Sequence, residues 1–381
     1  MYAAISGLKA HMTKLNVLGN NIANVNTVGY KSQRAIFADS LYTTTTSGSN
    51  GTNTAGGRNP SQIGYGVQLS TIDVDMGTGT YSPTGRPLDC MISGQGFFLV
   101  GDKTVANTVD PTDPESLKAF QLTRVGNFEF KGDGYLAKED SDAVVYGFMC
   151  IGTVNGEPIF SDQLVPIRYP KMEKVTTVDA NGKTVETVQV RYPVAKPGAA
   201  LSDATAADGS ELSDVNIDNV TIDPSTGRIT GTVPDTGEMI TIGVIALGNV
   251  TNPNGVTHLN GSYYKAGDGA GKLQVATMGG ISENMYVSNT NPTAADTDLT
   301  KYQKGLSNVN GSMLPAGGTA ARGMGVLESN SSLQTSGLEA SKTDLATEIS
   351  EMITTQRGYQ ANTRIITVTD SMLEELVNIK R

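Results

Sequence analysis

The chain has 381 residues, a net charge of −10, no tryptophan and only 17% charged side chains, so it can fill two or three cores but offers no concentrated basic surface. Phosphate backbones and anionic membranes draw clustered Lys and Arg, so nucleic-acid binding and electrostatic membrane docking are excluded. Two cysteines, Cys90 and Cys150, give neither a CxxC site nor a disulfide scaffold, and no stretch approaches the ~18–20 apolar residues of a membrane span.

The first residues lack the apolar and basic blocks of a secretory signal, which on composition alone reads as a cytoplasmic chain. Instead Leu8, Leu15 and Ile22 recur every seven residues, with Ile5 and Met12 three positions before the first two. That spacing predicts a helix with an a/d seam, closed by Asn24, Asn26 and Gly29 before Tyr30. The run TTTTSGSNGTNTAGGRNP (43–60) reads as a low-complexity linker, and a second linker is expected over 196–214.

Between the ends the sequence predicts β-structure. Six Asn-Gly pairs begin at Asn50, Asn155, Asn181, Asn254, Asn260 and Asn310. Asn-Gly suits tight hairpins because both turn residues need positive φ. The clearest cases are KVTTVDANGKTVETVQV around Asn181 and VTIDPSTGRITGTV, which turns at Pro224 to Gly227.

The C-terminal segment repeats Leu338, Leu345, Met352, Tyr359, Ile366 and Leu373 at seven-residue spacing, widened by Ile349, Ile353, Val368, Leu376 and Val377. With an N-terminal cap between Ser341 and Asp344, this predicts a helix of about 40 residues, roughly 60 Å long. Two heptad segments so far apart in sequence pair most simply with each other or with further copies. A second series, Gln356, Thr363 and Asp370, reads either as an exposed edge or as a wall facing water inside a hollow assembly. The fold class is α+β and multidomain, with paired, coiled-coil-like terminal helices and mainly β domains between them.

Catalytic and cofactor motifs do not emerge. GDGAGK (267–272) lacks the first Gly and the closing Ser/Thr of a Walker loop, since Ala266 and Leu273 stand at those places. His11 and His258 have no cysteine at zinc-site spacing, and Asp133 in KGDGYL lacks the further carboxylates of a calcium loop. No enzyme activity, metal or cofactor is expected.

SGLKAHMTKLNVLGNNIANVNTVGYK (6–31) and LATEISEMITTQRGYQANTRIITVTDSMLEEL (345–376) resemble, in this order, the two ends of the flagellar rod/hook axial family. The signature residues are Asn20, Asn21, Asn24, Gly29 and Tyr30 at one end and Gln356, Arg357, Tyr359 and Asn362 at the other. ISGQGFFLV (92–100) and LTRVGNFEFKGDGYL (122–136) look like the family's first β-domain. VTIDPSTGRITGTV, IGVIALGNVTNPNG and the ending ELVNIKR (375–381) are similar to its hook branch. One departure is SKTDL (341–345), where the family usually reads Ser-Asn-Val-Asp-Leu.

The resemblance implies nesting: a terminal helical assembly domain (1–28 with 338–381), a linker region (29–70 with about 318–337), an inner β-domain (71–146 with about 246–317) and an inserted outer β-domain (about 147–245). It implies a hook subunit forming a flexible curved tube around an export channel, with a straight distal-rod subunit or, remotely, a secreted β-rich adhesin as alternatives. Export by the flagellar type III apparatus without a cleaved signal then replaces the cytoplasmic reading with an extracellular one. Implied partners are further copies, the distal rod protein, the hook cap, the hook–filament junction proteins and the export apparatus, with no nucleic acid or membrane insertion. Ile5, Leu8, Met12, Leu15, Ile22, Leu345, Ile349, Met352, Tyr359, Ile366, Leu373 and Leu376 are expected to carry self-assembly. Some hooks also carry a Lys–Cys-derived crosslink between subunits, for which Cys150 would be the candidate.

Overall fold

The computed structural model describes residues 2–51, 56–103, 114–154, 157–161, 164–178, 184–191, 213–214, 217–234, 236–278, 286–288, 302–306, 314–315, 327–329 and 331–379. Their helices are α1 (Tyr2–Ala23), the single turn α2 (Pro114–Leu117) and α3 (Leu345–Ile379). The chain divides into two compact units. One joins both ends of the sequence, Met1–Met76 with Ser341–Arg381, and the other is Gly77–Ala340.

In the first unit α1 and α3 pack on each other, and α1 also contacts two strands. These are β1 (Gln33–Asp39) and β4 (Val67–Val74), an antiparallel pair running from Gln33 opposite Val74 to Asp39 opposite Val67 with a bulge at Ile36/Phe37. Between them β2 (Tyr42–Thr46) and β3 (Ser61–Gly64) form a second antiparallel ribbon. The expected linker over 29–70, and the run 43–60 within it, is therefore corrected in part. Thr43 to Thr46 is strand, because consecutive β-branched residues favour extended backbone even where the composition looks simple. Gly66, at φ +112°, lets the turn into β4 approach α1; a Cβ there would lie 3.1 Å from the Ala3 Cα.

The second unit opens on the strand Tyr81–Pro83, which pairs with Gly337–Glu339, while Cys90–Ser93 pairs with Ser332–Thr335. Leu338, expected on the terminal helix, therefore sits in a strand opposite Ser82, and α3 begins only at Leu345, giving 35 residues. The seven-residue repeat extends by coincidence into an extended segment whose backbone groups are already bonded to a neighbour. Helix starts where Asp344 supplies a cap: its carboxylate accepts from the Ala346 N–H (3.1 Å) and the Thr347 hydroxyl (2.7 Å).

The main sheet runs through Asp218–Ile222, Arg228–Thr232, Met239–Ile245, Val144–Val154, Phe97–Gly101, Leu247–Val250, Leu273–Met278 and Leu327–Ser329. Its neighbours are antiparallel except the last pair. Ile92, Phe98, Val100, Phe128, Val145, Ile229, Ile242 and Ile245 fill the core, with Phe98 and Phe128 edge to face at 5.0 Å. The expected domain edge at 146/147 falls inside the strand Val144–Val154. That strand pairs with Val100 on one side and with Val244 and Ile245 on the other, so the sheet continues across the edge. A separate small sheet holds Lys171–Val178, Thr184–Arg191 and Ser213–Asp214.

Turn chemistry is visible at two hairpins. Thr257 pairs with Lys265 around Asn260, where Gly261 has φ +69°; Val178 also pairs with Thr184 and Val154 with Glu157, but Asn181 and Asn155 between them lie outside the described residues. At Pro224–Gly227 the Asp223 carboxylate accepts from the Ser225 N–H (2.9 Å) and the Thr226 hydroxyl (2.9 Å), and Gly227 takes φ +68°. Asn254 corrects the expectation: Pro253–Gly255 is a 3₁₀ turn, because Pro253 opens it and its backbone lies against Gly269. Asn50–Gly51 lies between Ser49 and the start of the undescribed stretch 52–55 and joins no named strands, whereas Asn310 and most of the linker at 196–214 lie outside the described residues.

Candidate self-assembly site

α1 and α3 run antiparallel, and small and polar side chains make close contacts between them. Gly7 lies against Asn362, with the site of a Cβ 2.8 Å from its amide nitrogen, and Gly358 lies against the His11 ring at the same separation. One turn further, Lys14 Nζ meets Glu351 Oε2 at 2.9 Å, and the Asn21 amide donates to Glu348 Oε1 at 3.0 Å. The buried positions of α1 are Ala4, Gly7, Ala10, Val17, Leu18 and Asn21; in α3 only Thr355 is fully buried. Small side chains bring the backbones close, and polar pairs set the register. The signal was present in the sequence as a second heptad phase, 348, 351, 355, 358 and 362 in α3 against 7, 14 and 21 in α1. Apolar periodicity obscured it.

The apolar positions expected to carry self-assembly are half-buried or exposed in the single chain. Ile5 and Met12 are 42% and 48% exposed, and Leu345, Ile349, Leu373 and Leu376 between 42% and 61%. Leu8, Leu15, Ile22, Met352, Tyr359 and Ile366 are half-buried. The single chain therefore leaves Ile5, Met12, Leu345, Ile349, Leu373 and Leu376 with much of their apolar surface in water.

The N-terminal signature is a hydrogen-bonded knot. Asn21, fully buried, accepts from the Gln33 N–H (2.9 Å) and from the Tyr30 hydroxyl (3.1 Å), and its amide donates to the Gln33 carbonyl (2.8 Å) as well as to Glu348. The Asn20 amide donates to the Tyr30 hydroxyl, and the Asn24 amide donates back to the Asn20 carbonyl. Gly29, at φ +68°, makes the turn that brings Tyr30 back, and the Tyr30 carbonyl accepts from the Lys342 N–H. One asparagine thus ties the end of α1, the start of β1 and the first turns of α3. At the other end Asn362 lies against Gly7 and Tyr359 is half-buried, whereas Gln356 and Arg357 are exposed.

Charge inside this knot is perturbed. Burial pushes the Glu348 carboxyl above its ordinary range; the Asn21 amide opposes this, Glu351 adds to it, Lys14 opposes and Asp344 adds. Burial, and then the Glu348 charge, raises the Tyr30 phenol. Glu348 Oε2 is buried without a hydrogen-bond partner.

Among the described residues no cluster of three or more His, Cys, Asp or Glu could hold a metal, and no helix is long and apolar enough to cross a membrane. Asp133 shapes a turn by accepting from the Tyr135 N–H and pairing with Lys103, and GDGAGK folds as a short 3₁₀ turn. Neither cysteine forms a disulfide and both are fully buried, so an intersubunit crosslink through Cys150 is at odds with this fold: its side chain has no exposed surface for a lysine to reach.

The two halves of the helical unit match two family models. "Flagella basal body rod protein" covers residues 1–31, and "Flagellar basal body rod FlgEFG protein C-terminal" covers 334–379. The chain is also 30% identical to the flagellar basal-body rod protein FlgG of Bacillus subtilis, over all of this chain and 98% of the relative. It belongs to the flagellar rod/hook axial family. Flagellar hook proteins FlgE are similar end to end as well: that of Borreliella burgdorferi at 26% identity, covering 100% of this chain and 99% of the relative, and that of Salmonella typhimurium at 27%, covering 99% of each. The helix pair, Asn21 and its partners Tyr30 and Glu348 fall inside the matched ends, and the partner Gln33 lies two residues beyond the first.

Proposed function

We propose that this chain is the structural subunit of the flagellar hook, polymerising into a flexible, curved tube that carries motor torque to the filament and encloses the export channel. The observation that carries this reading is the outward-facing apolar stripe on both terminal helices, from Ile5 and Met12 to Leu373 and Leu376, in a chain similar end to end to hook proteins. Burying one such side chain fully is worth ~1.5–3 kcal/mol, and many copies stacked together bury all of them. Since the helices meet each other through a polar seam, the isolated subunit gains little apolar burial there; its ends fray alone and order on polymerisation. The subunit is exported by the flagellar type III apparatus to the outside of the cell. It meets the distal rod protein, the hook cap and the hook–filament junction proteins as well as its own copies, and it is not an enzyme.

The β-rich unit makes the outer contacts, with the segment of about 147–245 as an inserted outer domain. Low charge suits surfaces that slide while the inner tube stays continuous. The ribbon around 43–62 tunes the stiffness of the joint, because it lies in the chain between α1 and the β-rich unit.

A second reading, the distal rod subunit of a straight tube, is favoured by the full-length similarity to a rod protein. Electron microscopy of polymers grown from the purified chain distinguishes them. Curved, bendable tubes are expected, straight stiff ones identify a rod, and a chain that stays monomeric under every polymerising condition defeats both.

A further inference from the structure

The inner seam of α3 changes character where α1 ends. From Glu348 to Asn362 it is polar or small and is covered by α1, through Asn21, Lys14, His11 and Gly7. In the same antiparallel register Ala4 falls level with Ile365, and α3 continues to Ile379, a tail about 21 Å long. Along that tail the same phase carries Thr369, whose hydroxyl is turned back onto the Ile365 carbonyl, and Ile365, Met372, Leu376 and Ile379, exposed at 51%, 60%, 61% and 81%. Apart from Thr369, the seam is apolar where its own chain does not cover it.

α1 has the complementary feature. On its other side Ile5 and Met12 are 42% and 48% exposed beside the half-buried Leu8, Leu15 and Ile22, an apolar face that extends about 25 Å. α1 carries Lys9 and Lys14 and no acid, whereas residues 365–379 carry Asp370, Glu374 and Glu375 and no base; Lys380 and Arg381, next in sequence, lie outside the described residues. Tails cannot pair with one another without setting these acids side by side, and the basic helix of another copy matches them in sign, in apolar character and in length.

We propose that the α3 tail of one copy docks along the Ile5–Ile22 face of α1 in a neighbouring copy, so that each helix pair is completed by the next. This rests on the reading above that copies polymerise, and gives that polymer a specific joint. Ion pairing of Lys9 with the tail carboxylates fixes its register, and burial of Met372, Leu376 and Ile379 supplies its strength.

The test uses full-length chains. Unlabelled subunits carrying the photocrosslinker p-benzoylphenylalanine at Leu376 are co-polymerised with isotopically heavy wild-type subunits, irradiated and mapped by mass spectrometry. Heavy peptides from residues 5–22 are expected to dominate in polymers and to vanish in monomers. Polymers whose crosslinks fall on α3 or on the β-rich unit overturn the docking while leaving the hook reading intact, and wild-type chains that never polymerise overturn both. A charge swap needs no bulky group: Lys9→Glu should raise the critical concentration about fivefold, and adding Glu374→Lys with Glu375→Lys should restore it. Lack of rescue in polymers that do form overturns the joint.

Discussion

Asn21 shows how one side chain can decide where three segments meet. Its amide saturates both backbone groups of Gln33 and one carboxylate oxygen of Glu348, at no exposure to water. Asn21→Ala leaves those buried groups unpaired and is expected to cost about 1–3 kcal/mol of helix-unit stability, measured by chemical denaturation of the polymer. Glu348 adds a pH dependence. Its carboxyl is raised above the ordinary 4.5 mainly by burial, so the paired state binds a proton that the unpaired state releases. Pairing is therefore strongest below 4.5 and weakens as pH rises through the raised value. The melting temperature of the helical signal should fall across that window, and Glu348→Gln should flatten the fall; an unchanged slope in the variant would remove Glu348 from the account.

At the scale of the element, the seam trades apolar area for closeness. Gly358 is a helix-weakening residue kept where a methyl would stand 2.8 Å from the His11 ring. Gly358→Ala should therefore gain the full propensity benefit of ~1 kcal/mol only when His11→Ala makes room, and less in the wild-type background. A double-mutant cycle on helix melting reads the difference, and additivity would show that the ring yields freely. Asp344 belongs to the same scale: Asp344→Ala should destabilise the start of α3 by about 0.5–2 kcal/mol, seen as lost amide protection at Ala346 and Thr347.

The whole molecule separates into a unit made from both termini and a β-rich unit that carries its own core. The β-rich unit opens and closes on paired strands, Tyr81–Pro83 with Gly337–Glu339, and Glu339 accepts from the Gly79 N–H at 2.5 Å beside the buried Arg124. Its closure needs nothing from the helices. Removing residues 1–25 or 345–381 should leave a cooperatively melting β-rich protein that sediments as a monomer; normal hooks assembled from such a chain would refute the assignment of assembly to the helices. Deleting part of 43–62 should alter hook curvature and swimming without stopping assembly, and unaltered curvature would free the ribbon of that role.

Local chemistry was enough to read some of this from residue order alone. Heptad spacing located both helices, Asp344 the start of α3, and Asn260 and Gly227 two hairpin turns, because caps and turns are satisfied by atoms a few residues apart. The extent of α3 and the strand at Leu338 were not legible, since a period of seven cannot show that Ser82, far off in sequence, holds that backbone extended. Nor could the division of labour between the two heptad phases be read. Apolar residues predict burial but not the partner, and only the folded chain shows that small and polar side chains make close contacts between α1 and α3 while Ile5, Met12, Leu373 and Leu376 stay exposed. That choice rests on long-range geometry: Gly7 against Asn362 and Gly358 against His11 bring two backbones closer than any leucine seam would allow.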